Sequence, residues 1–358
     1  MAELFEAHDG GKFEFYGFSF GPDRQDEMRR RVSAAFHKFI DVRDRSDLEV
    51  ARLSRELGID IAVDLKGYTQ DSRPGIFAER CAPVQVNWLG YPGTMAADWI
   101  DYIVADRTVI PEESKSCFTE KVVYLPHSYQ VNDSKRRISD RVFTRRELGL
   151  PEQGFVFCCF NNNYKILPAT FEGWMRILRA VEGSVLWLLE DNPTAARNLR
   201  KEAAARGVDS ARLVFARRLA LDEHLARHRL ADLFLDTLPY NAHTTASDAL
   251  WAGLPLVTLR GRSFAGRMGA SLLTAAGLPE LIAESEADYA ALALHLARTP
   301  DRLAHLAALL CDSRATSALF DAAASARHLE AAFDLMWRRH CTGQPPTGFA
   351  LEKPWTPA

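Results

Sequence analysis

Residues 235–255 read LDTLPYNAHTTASDALWAGLP and hold the densest set of side chains in the chain that could act on a ligand. An apolar run, 230–235, ends at Asp236 and a turn. The polar cluster Asn241-Ala242-His243-Thr244-Thr245 follows and opens a helix-like segment that carries Asp248 and stops at Gly-Leu-Pro. A strand that runs through a small, hydroxyl-rich turn into a helix leaves backbone N–H groups free at the helix start. Together with the positive end of the helix dipole, those groups favour phosphate. Asp248 lies one turn further in, where a carboxylate can hold ribose hydroxyls. The stretch therefore reads as a nucleotide-diphosphate site. The competing reading is a capped core helix with Thr244 or Thr245 as N-cap.

A second constellation follows the strand-like run 155–160, in Asn161-Asn162-Asn163-Tyr164-Lys165. Ligands bind outside the C-terminal ends of parallel strands. A lysine there can offer its ammonium to a pyrophosphate and stabilise a leaving nucleotide, or it can be a solvated turn residue. Lys165 gains weight from the 235–255 stretch, a second phosphate-binding strand end in the same half of the chain. His224 stands at a helix start after another strand and can stack on or hydrogen-bond to a base or ribose. Arg227, one turn on, can reach the same ligand or solvent. Trp88-Leu89-Gly90-Tyr91-Pro92-Gly93-Thr94 also ends a strand. Gly90 and Gly93 let the backbone approach a ligand closely, and Pro92 stiffens the turn. Residues 64–69 and Pro126-His127 are similar strand-end loops.

Several other chemistries lack their motifs. No Asp-x-Asp occurs, so a carboxylate-held Mg²⁺ or Mn²⁺ on a diphosphate is not indicated. No G-x-G-x-x-G follows a strand and no P-loop is present, and the Gly17-x-Ser19-x-Gly21 spacing places its serine inside the strand-like run 13–20 rather than at a strand-to-helix elbow. Any charge on a departing diphosphate then falls to Lys165 and the helix start at Thr244.

The elements that must position these residues alternate. Strand-like runs are expected at 13–20, 59–65, 85–89, 102–105 and 122–125. Helices are expected at 26–39 and at 48–57, with Gly58 at the C-cap. The second half places strands at 155–160, 185–189, 213–215, 230–235 and 256–259. Its helices are expected at 169–180, 195–206, 222–228 and after His243. Such alternation predicts an α/β chain of βαβ units with parallel sheets. The polar, charged stretch 133–153 marks a boundary. We read two Rossmann-like domains facing across a cleft, residues 1–135 and 136–341, with a Pro/Gly-rich flexible tail at 342–358. The first domain reads as incomplete, because residues 1–8 resemble the end of a helix and no strand precedes them.

Composition narrows the class. At 358 residues the chain has room for two domains. Its 47% hydrophobic and 25% charged residues are those of an ordinary globular protein. A net charge of −3 gives no support for nucleic acid or an anionic membrane as partner. The six cysteines are scattered without a C-x-x-C pair, which suits the reducing cytoplasm better than a zinc site or disulfides. Neither a membrane span nor a secretory leader is expected.

With these residues in hand, the chain resembles the catalytic region of the O-linked N-acetylglucosamine transferases, glycosyltransferase family 41. The likeness rests on residues 64–94, 97–106, 160–166 (FNNNYKI), 185–190, 230–259 (with HTT…D…LWAG) and 264–273, and WLGYPGT within the first of these is specific. It implies a GT-B fold with the sugar nucleotide mostly on the second domain. It also implies metal-independent, inverting transfer from a UDP-sugar, UDP-GlcNAc by family, to Ser/Thr of an acceptor protein. By resemblance the lysine matching Lys165 contacts the diphosphate and is essential. Residues matching His224 and Arg227 lie by the uridine and phosphate. Those matching His243, Thr244 and Thr245 bind diphosphate, and that matching Asp248 binds ribose. Asn162 joins this set where animal enzymes carry glutamine, and Leu221 stands where they carry a lysine. Gly90, Tyr91 and Pro92 are the substrate-side candidates of the first domain. The family's D-F-x-x-H-P segment and helical repeats are expected ahead of Met1. Further readings are a UDP-binding remnant without transfer activity, a UDP-glucose-dependent enzyme acting on Asn, and a UDP-sugar epimerase.

Overall fold

The chain opens on a short helix, α1 (Ala2–Glu6), and a two-stranded parallel sheet, β1 (Tyr16–Ser19) and β2 (Lys38–Asp41), in the computed structural model, which describes residues 1–351. Between the strands, Asp26 caps α2 (Glu27–Ala34) by accepting the Arg29 N–H. The helix stops well short of the 39 expected from its spacing. The cause is tertiary: Gly17 faces Phe39 across the ladder, so closely that a Cβ on it would lie 2.7 Å from the ring. Strand pairing has captured the end of the helical pattern. Ser46 and Glu49 form a capping box on α3 (Asp47–Glu56), and Gly58 takes φ +68° just past it. There follow β3 (Ile61–Asp64), α4 (Gly75–Ala78), β4 (Val84–Asn87), β5 (Tyr102–Ala105) and β6 (Lys121–Tyr124). The four strands pair in parallel in chain order. Both β4 and β5 are buried throughout, as a parallel sheet covered on two faces requires.

Residues 136–317 form a separate unit. It runs β7 (Val156–Cys159), α5 (Pro168–Ala180), β8 (Val185–Leu189), α6 (Pro193–Ala205), β9 (Leu213–Ala216), α7 (Leu221–Arg227), β10 (Leu233–Leu235), α8 (Thr244–Trp251), β11 (Leu256–Leu259), α9 (Met268–Ala275), β12 (Ile282–Ala283), α10 (Glu286–Arg298) and α11 (Pro300–Ser313). The apolar runs at β7, β8 and β10 have become fully buried strands, and amphipathic segments such as α5 bury Phe171, Trp174 and Met175 over them. The strand order is β9-β8-β7-β10-β11-β12, every pair parallel. Counted from β7 this is the 3-2-1-4-5-6 order of the Rossmann fold, whose direction of winding reverses between β7 and β10.

From 318 onward the chain belongs with the first unit. There α12 (Ala322–Cys341) packs on α1 and β4, burying Leu329, Phe333 and Met336. Next β13 (Phe349–Ala350) extends the sheet beside β6, and the Leu351 N–H donates to the Tyr124 carbonyl at 3.0 Å. The sequence groups 136–341 and reads 342–358 as loose. The structure divides differently, because the apolar face of α12 and the edge of β6 both find their partners in the first unit. Residues 352–358 of that tail lie outside the described residues.

Candidate functional site

At the switch point of the second unit, β7 ends at Cys159, and Phe160-Asn161-Asn162 lead into a single 3₁₀ turn, Asn163–Lys165. This turn swings the Lys165 side chain toward the loop after β10. Its Nζ donates to the Asn241 carbonyl at 2.9 Å and lies 4.0 Å from the centre of the Tyr240 ring. Among the described residues no carboxylate pairs with it. Burial pushes its pKa down from 10.5 to about 8, against the pull of Asp236 and Cys159.

The loop after β10 is held from inside. Asp236, 3% exposed, accepts from the Thr237 N–H at 2.7 Å, the Ala242 N–H at 2.6 Å and the Thr258 hydroxyl at 2.7 Å. Burial raises its carboxyl to about 6, the three donors pulling the other way. Asn241, fully buried, donates to the Thr237 carbonyl at 2.7 Å and accepts from the Gly269 N–H at 3.3 Å. Asn161 ties the β7 end to the same loop. Its Nδ2 donates to Thr237 Oγ1 at 2.8 Å, and its Oδ1 accepts from the Thr245 hydroxyl.

This scaffold presents the start of α8. His243 is the N-cap residue and no side chain caps the helix, so the capped-helix reading fails. The Thr245 hydroxyl is taken by Asn161, and Thr244 is exposed. The uncapped first turn carries roughly half a positive charge, with Lys165 reaching to the loop just before it. His243 stacks on Tyr240 at 4.9 Å, and its Nε2 has no partner. Burial, then Lys165, holds its pKa near 3, so the ring is neutral at pH 7. A cation with no ion-pair partner among the described residues and an uncapped helix start together make a site for an anion. One turn along, on the Thr244 face, Asp248 is 5% exposed and pairs with Arg136 at 2.6 Å. Burial raises its carboxyl to about 6 against the pull of Arg136, which leaves it ionised at neutral pH.

The remaining candidates of this unit lie around Phe160. His224 meets that ring edge-on at 5.3 Å and His228 at 4.7 Å, and burial lowers its pKa to about 2, so it is a neutral, aromatic surface. Arg227 departs from the expectation of ligand contact. It is 1% exposed, lies 4.5 Å from the centre of the Phe160 ring, and donates to the Arg217 carbonyl at 2.6 Å. Burial lowers it to about 10, and no carboxylate among the described residues pairs with it. It braces Phe160 and the β9 end from within the core. Asn162 Oδ1 accepts from the exposed Arg218 at 3.2 Å.

Within the first unit, Gly90, Tyr91 and Pro92 follow β4, interlocked with the loop after β3. A Cβ on Gly90 would lie 2.1 Å from the Leu65 carbonyl, and one on Gly67 2.4 Å from the Cβ of Tyr91. Asp64 accepts the Lys66 and Gly67 N–H groups, both at 2.9 Å. Asn87 Nδ2 donates to the Gly93 carbonyl at 3.0 Å, while buried Glu120 accepts from the Thr94 hydroxyl and the Met95 N–H. Leu89 stands at φ +78°, a conformation that costs a leucine about 1 kcal/mol or more. Gly90→Ala is expected to destabilise this unit by about 1–3 kcal/mol, since both sides of the clash are backbone. A thermal melt checks it, and an unchanged midpoint would contradict the interlock.

Sequence reasoning did not single out Arg136, Asn161, Arg218 or the anchoring role of Asp236. A signal existed only for Asp236, the acid that ends an apolar run directly before a turn. Among the described residues no group of three or more His, Cys, Asp or Glu side chains is set to hold a metal ion, and no helix is long and apolar enough to cross a membrane.

Comparison with known proteins finds relatives in sequence and in fold. "Probable UDP-N-acetylglucosamine--peptide N-acetylglucosaminyltransferase SEC" of Arabidopsis thaliana is 37% identical over 357 residues, covering 98% of this chain and 36% of the plant protein. The UDP-N-acetylglucosamine--peptide N-acetylglucosaminyltransferase of Caenorhabditis elegans is 28% identical over 450 residues, covering 94% and 39%. The chain thus spans between a third and two fifths of the length of these curated relatives. A mutant O-GlcNAc transferase of Thermobaculum terrenum superposes with a TM-score of 0.86 at 33% identity, covering 96% of this chain and 65% of that one. HepE of Anabaena, solved with UDP, shares the fold at a TM-score of 0.60 and 12% identity. The profile of Glycosyl transferase family 41 matches residues 1–142 and 138–329. With its α/β fold of GT-B type and a match over nearly its whole length, the chain belongs to glycosyl transferase family 41.

Proposed function

We propose that this chain transfers N-acetylglucosamine from UDP-GlcNAc to Ser/Thr hydroxyls of proteins, with inversion and without a metal. The observation that carries this reading is the unpaired Lys165 ammonium beside the uncapped start of α8 at the switch point. The diphosphate docks there, on the backbone N–H groups of Thr244 and Thr245, with His243 at the edge. Asp248 takes the ribose, and the base lies toward His224 and Asn162. Arg227 supports this floor without touching the ligand, and the Gly90–Tyr91–Pro92 loop serves the acceptor side. In the reaction the bond from C1 to the β-phosphate oxygen breaks as the acceptor hydroxyl oxygen bonds to C1 and gives up its proton to solvent. The electron pair leaves with UDP, where Lys165 and the helix start stabilise the charge that a metal would otherwise meet. The relatives named for UDP-N-acetylglucosamine and peptide substrates support the choice of donor and acceptor. Six free thiols, three of them buried, suit the cytoplasm. Nucleic acid and membrane are not among the proposed partners.

The test uses an acceptor peptide, UDP-GlcNAc and excess EDTA. The peptide is expected to gain N-acetylhexosamine by mass spectrometry at the rate seen without chelator. A loss of more than about tenfold, restored by Mn²⁺ or Mg²⁺, removes the metal-free mechanism. A chain that shows no heat of UDP binding in calorimetry removes the donor reading altogether.

A further inference from the structure

Arg136 stands just past the point where the first unit ends, and no motif points to it. Its guanidinium reaches the first turns of α8, where Nη1 donates to Asp248 Oδ1 at 2.6 Å. The same guanidinium lies 5.2 Å from the centre of the Trp251 ring, and the Trp251 indole N–H donates back to the Arg136 carbonyl at 3.2 Å. Asp248 and Trp251 are three residues apart on α8, so one side chain and its backbone clamp both from the same side. Both partners of the ion pair are nearly dry, with side chains 10% and 7% exposed. Asp248 Oδ2, by contrast, accepts no hydrogen bond among the described residues. Arg136 therefore takes one oxygen and leaves the other open.

We propose that Arg136 is the positioning residue for Asp248: it fixes the carboxylate as an anion with Oδ2 open to the hydroxyls of a nucleoside diphosphate's ribose. The proposal rests on the donor reading given above. Its physical basis is the cost of a buried carboxylate. Burial alone drives Asp248 toward its neutral form, and Arg136 is the charged group that opposes this. A protonated Asp248 would turn an acceptor of two ribose hydroxyls into a weaker mixed donor and acceptor. The clamp on Trp251 holds the guanidinium in place while the ligand comes and goes. Specificity for a ribose-bearing diphosphate over bare pyrophosphate then depends on a residue that touches neither.

The experiment compares UDP with inorganic pyrophosphate, because pyrophosphate reports Lys165 and the helix start alone. Both are titrated calorimetrically into the parent chain and Arg136→Met from pH 6 to 9. The variant is expected to lose UDP affinity by roughly tenfold or more at pH 7. Pyrophosphate affinity should stay within about twofold. The ratio of UDP to pyrophosphate affinity should rise with pH in the variant and stay flat in the parent above pH 7. Equal losses for both ligands, or an unchanged ratio, overturn the proposal and leave Arg136 a structural strut. If Arg136→Met does not fold, the double variant Arg136→Met/Asp248→Asn is read against Asp248→Asn. With no carboxylate to position, the added change should leave UDP affinity unaltered, and a further loss overturns the proposal. A parent chain that binds pyrophosphate but not UDP overturns the donor reading instead.

Discussion

Lys165→Met gives a chain that folds, melts no lower than its parent, and loses donor turnover on the order of 10³-fold. The two halves of this result have one cause. The ammonium is held where burial opposes its charge, and its pKa is lowered from 10.5 to about 8 because the pull of Asp236 offsets the burial only in part. Below pH 8 the side chain is charged in both folded and unfolded states, so folding bears the whole desolvation cost. As pH rises from about 8 to 10.5 the folded form gives up its proton first, and stability increases. Methionine removes the cost at neutral pH and keeps the apolar contact over Tyr240. After allowance for the lost hydrogen bond to Asn241, the gain is roughly 1 kcal/mol. The same charge is what a departing diphosphate needs, so turnover falls with the substitution. In the parent chain turnover should also decline above pH 8, as the ammonium deprotonates. A melting curve beside a kcat measurement across pH 6–10 checks all of this. A variant with more than about a tenth of parental kcat would remove Lys165 from its role.

The same opposition explains what sequence could and could not disclose. Strands such as β5, β8 and β11 lie where apolar runs placed them, because a parallel strand buried on both faces leaves an unbroken apolar word. Lys165 and the 243–248 stretch were legible because both follow such words, and strand ends are where ligands bind. Pairings between distant segments were not legible. The helical spacing at 36–39 yielded to a ladder with β1, since nothing local marks Gly17 as the partner of Phe39. The placement of α12 on α1, and of β13 beside β6, depends on residues more than two hundred positions away. Arg136 was invisible for a similar reason, as a lone arginine in a charged linker has no pattern. Arg227 was visible for its spacing from His224, yet that spacing cannot say that its guanidinium turns inward under Phe160.

Asp236→Ala is expected to cost roughly 3 kcal/mol in stability and to abolish measurable UDP binding. No ligand contact is assigned to Asp236, so the effect must come through the loop. Its carboxylate accepts from Thr237 N–H, Ala242 N–H and the Thr258 hydroxyl, all closed off from water. Alanine would leave three buried donors without a partner, each costing about 1 kcal/mol or more. Offset against this is relief of a carboxylate whose pKa burial has raised to about 6. That carboxylate is harder to keep ionised than in the unfolded chain, so it subtracts stability as pH rises from about 4 to 6 and above. The donors outweigh it, because only a group with two acceptor oxygens can satisfy the Thr237 and Ala242 N–H groups on one side and Thr258 on the other. Asp236→Asn separates the terms: it removes the charge and keeps one acceptor, and should lose about half as much stability. With the loop slack, Asn241 no longer receives the Lys165 ammonium, and the α8 start loses its fixed aim. Denaturant unfolding of both variants beside UDP titration provides the check. Full UDP affinity in Asp236→Ala would mean that the helix start is held by something other than this loop.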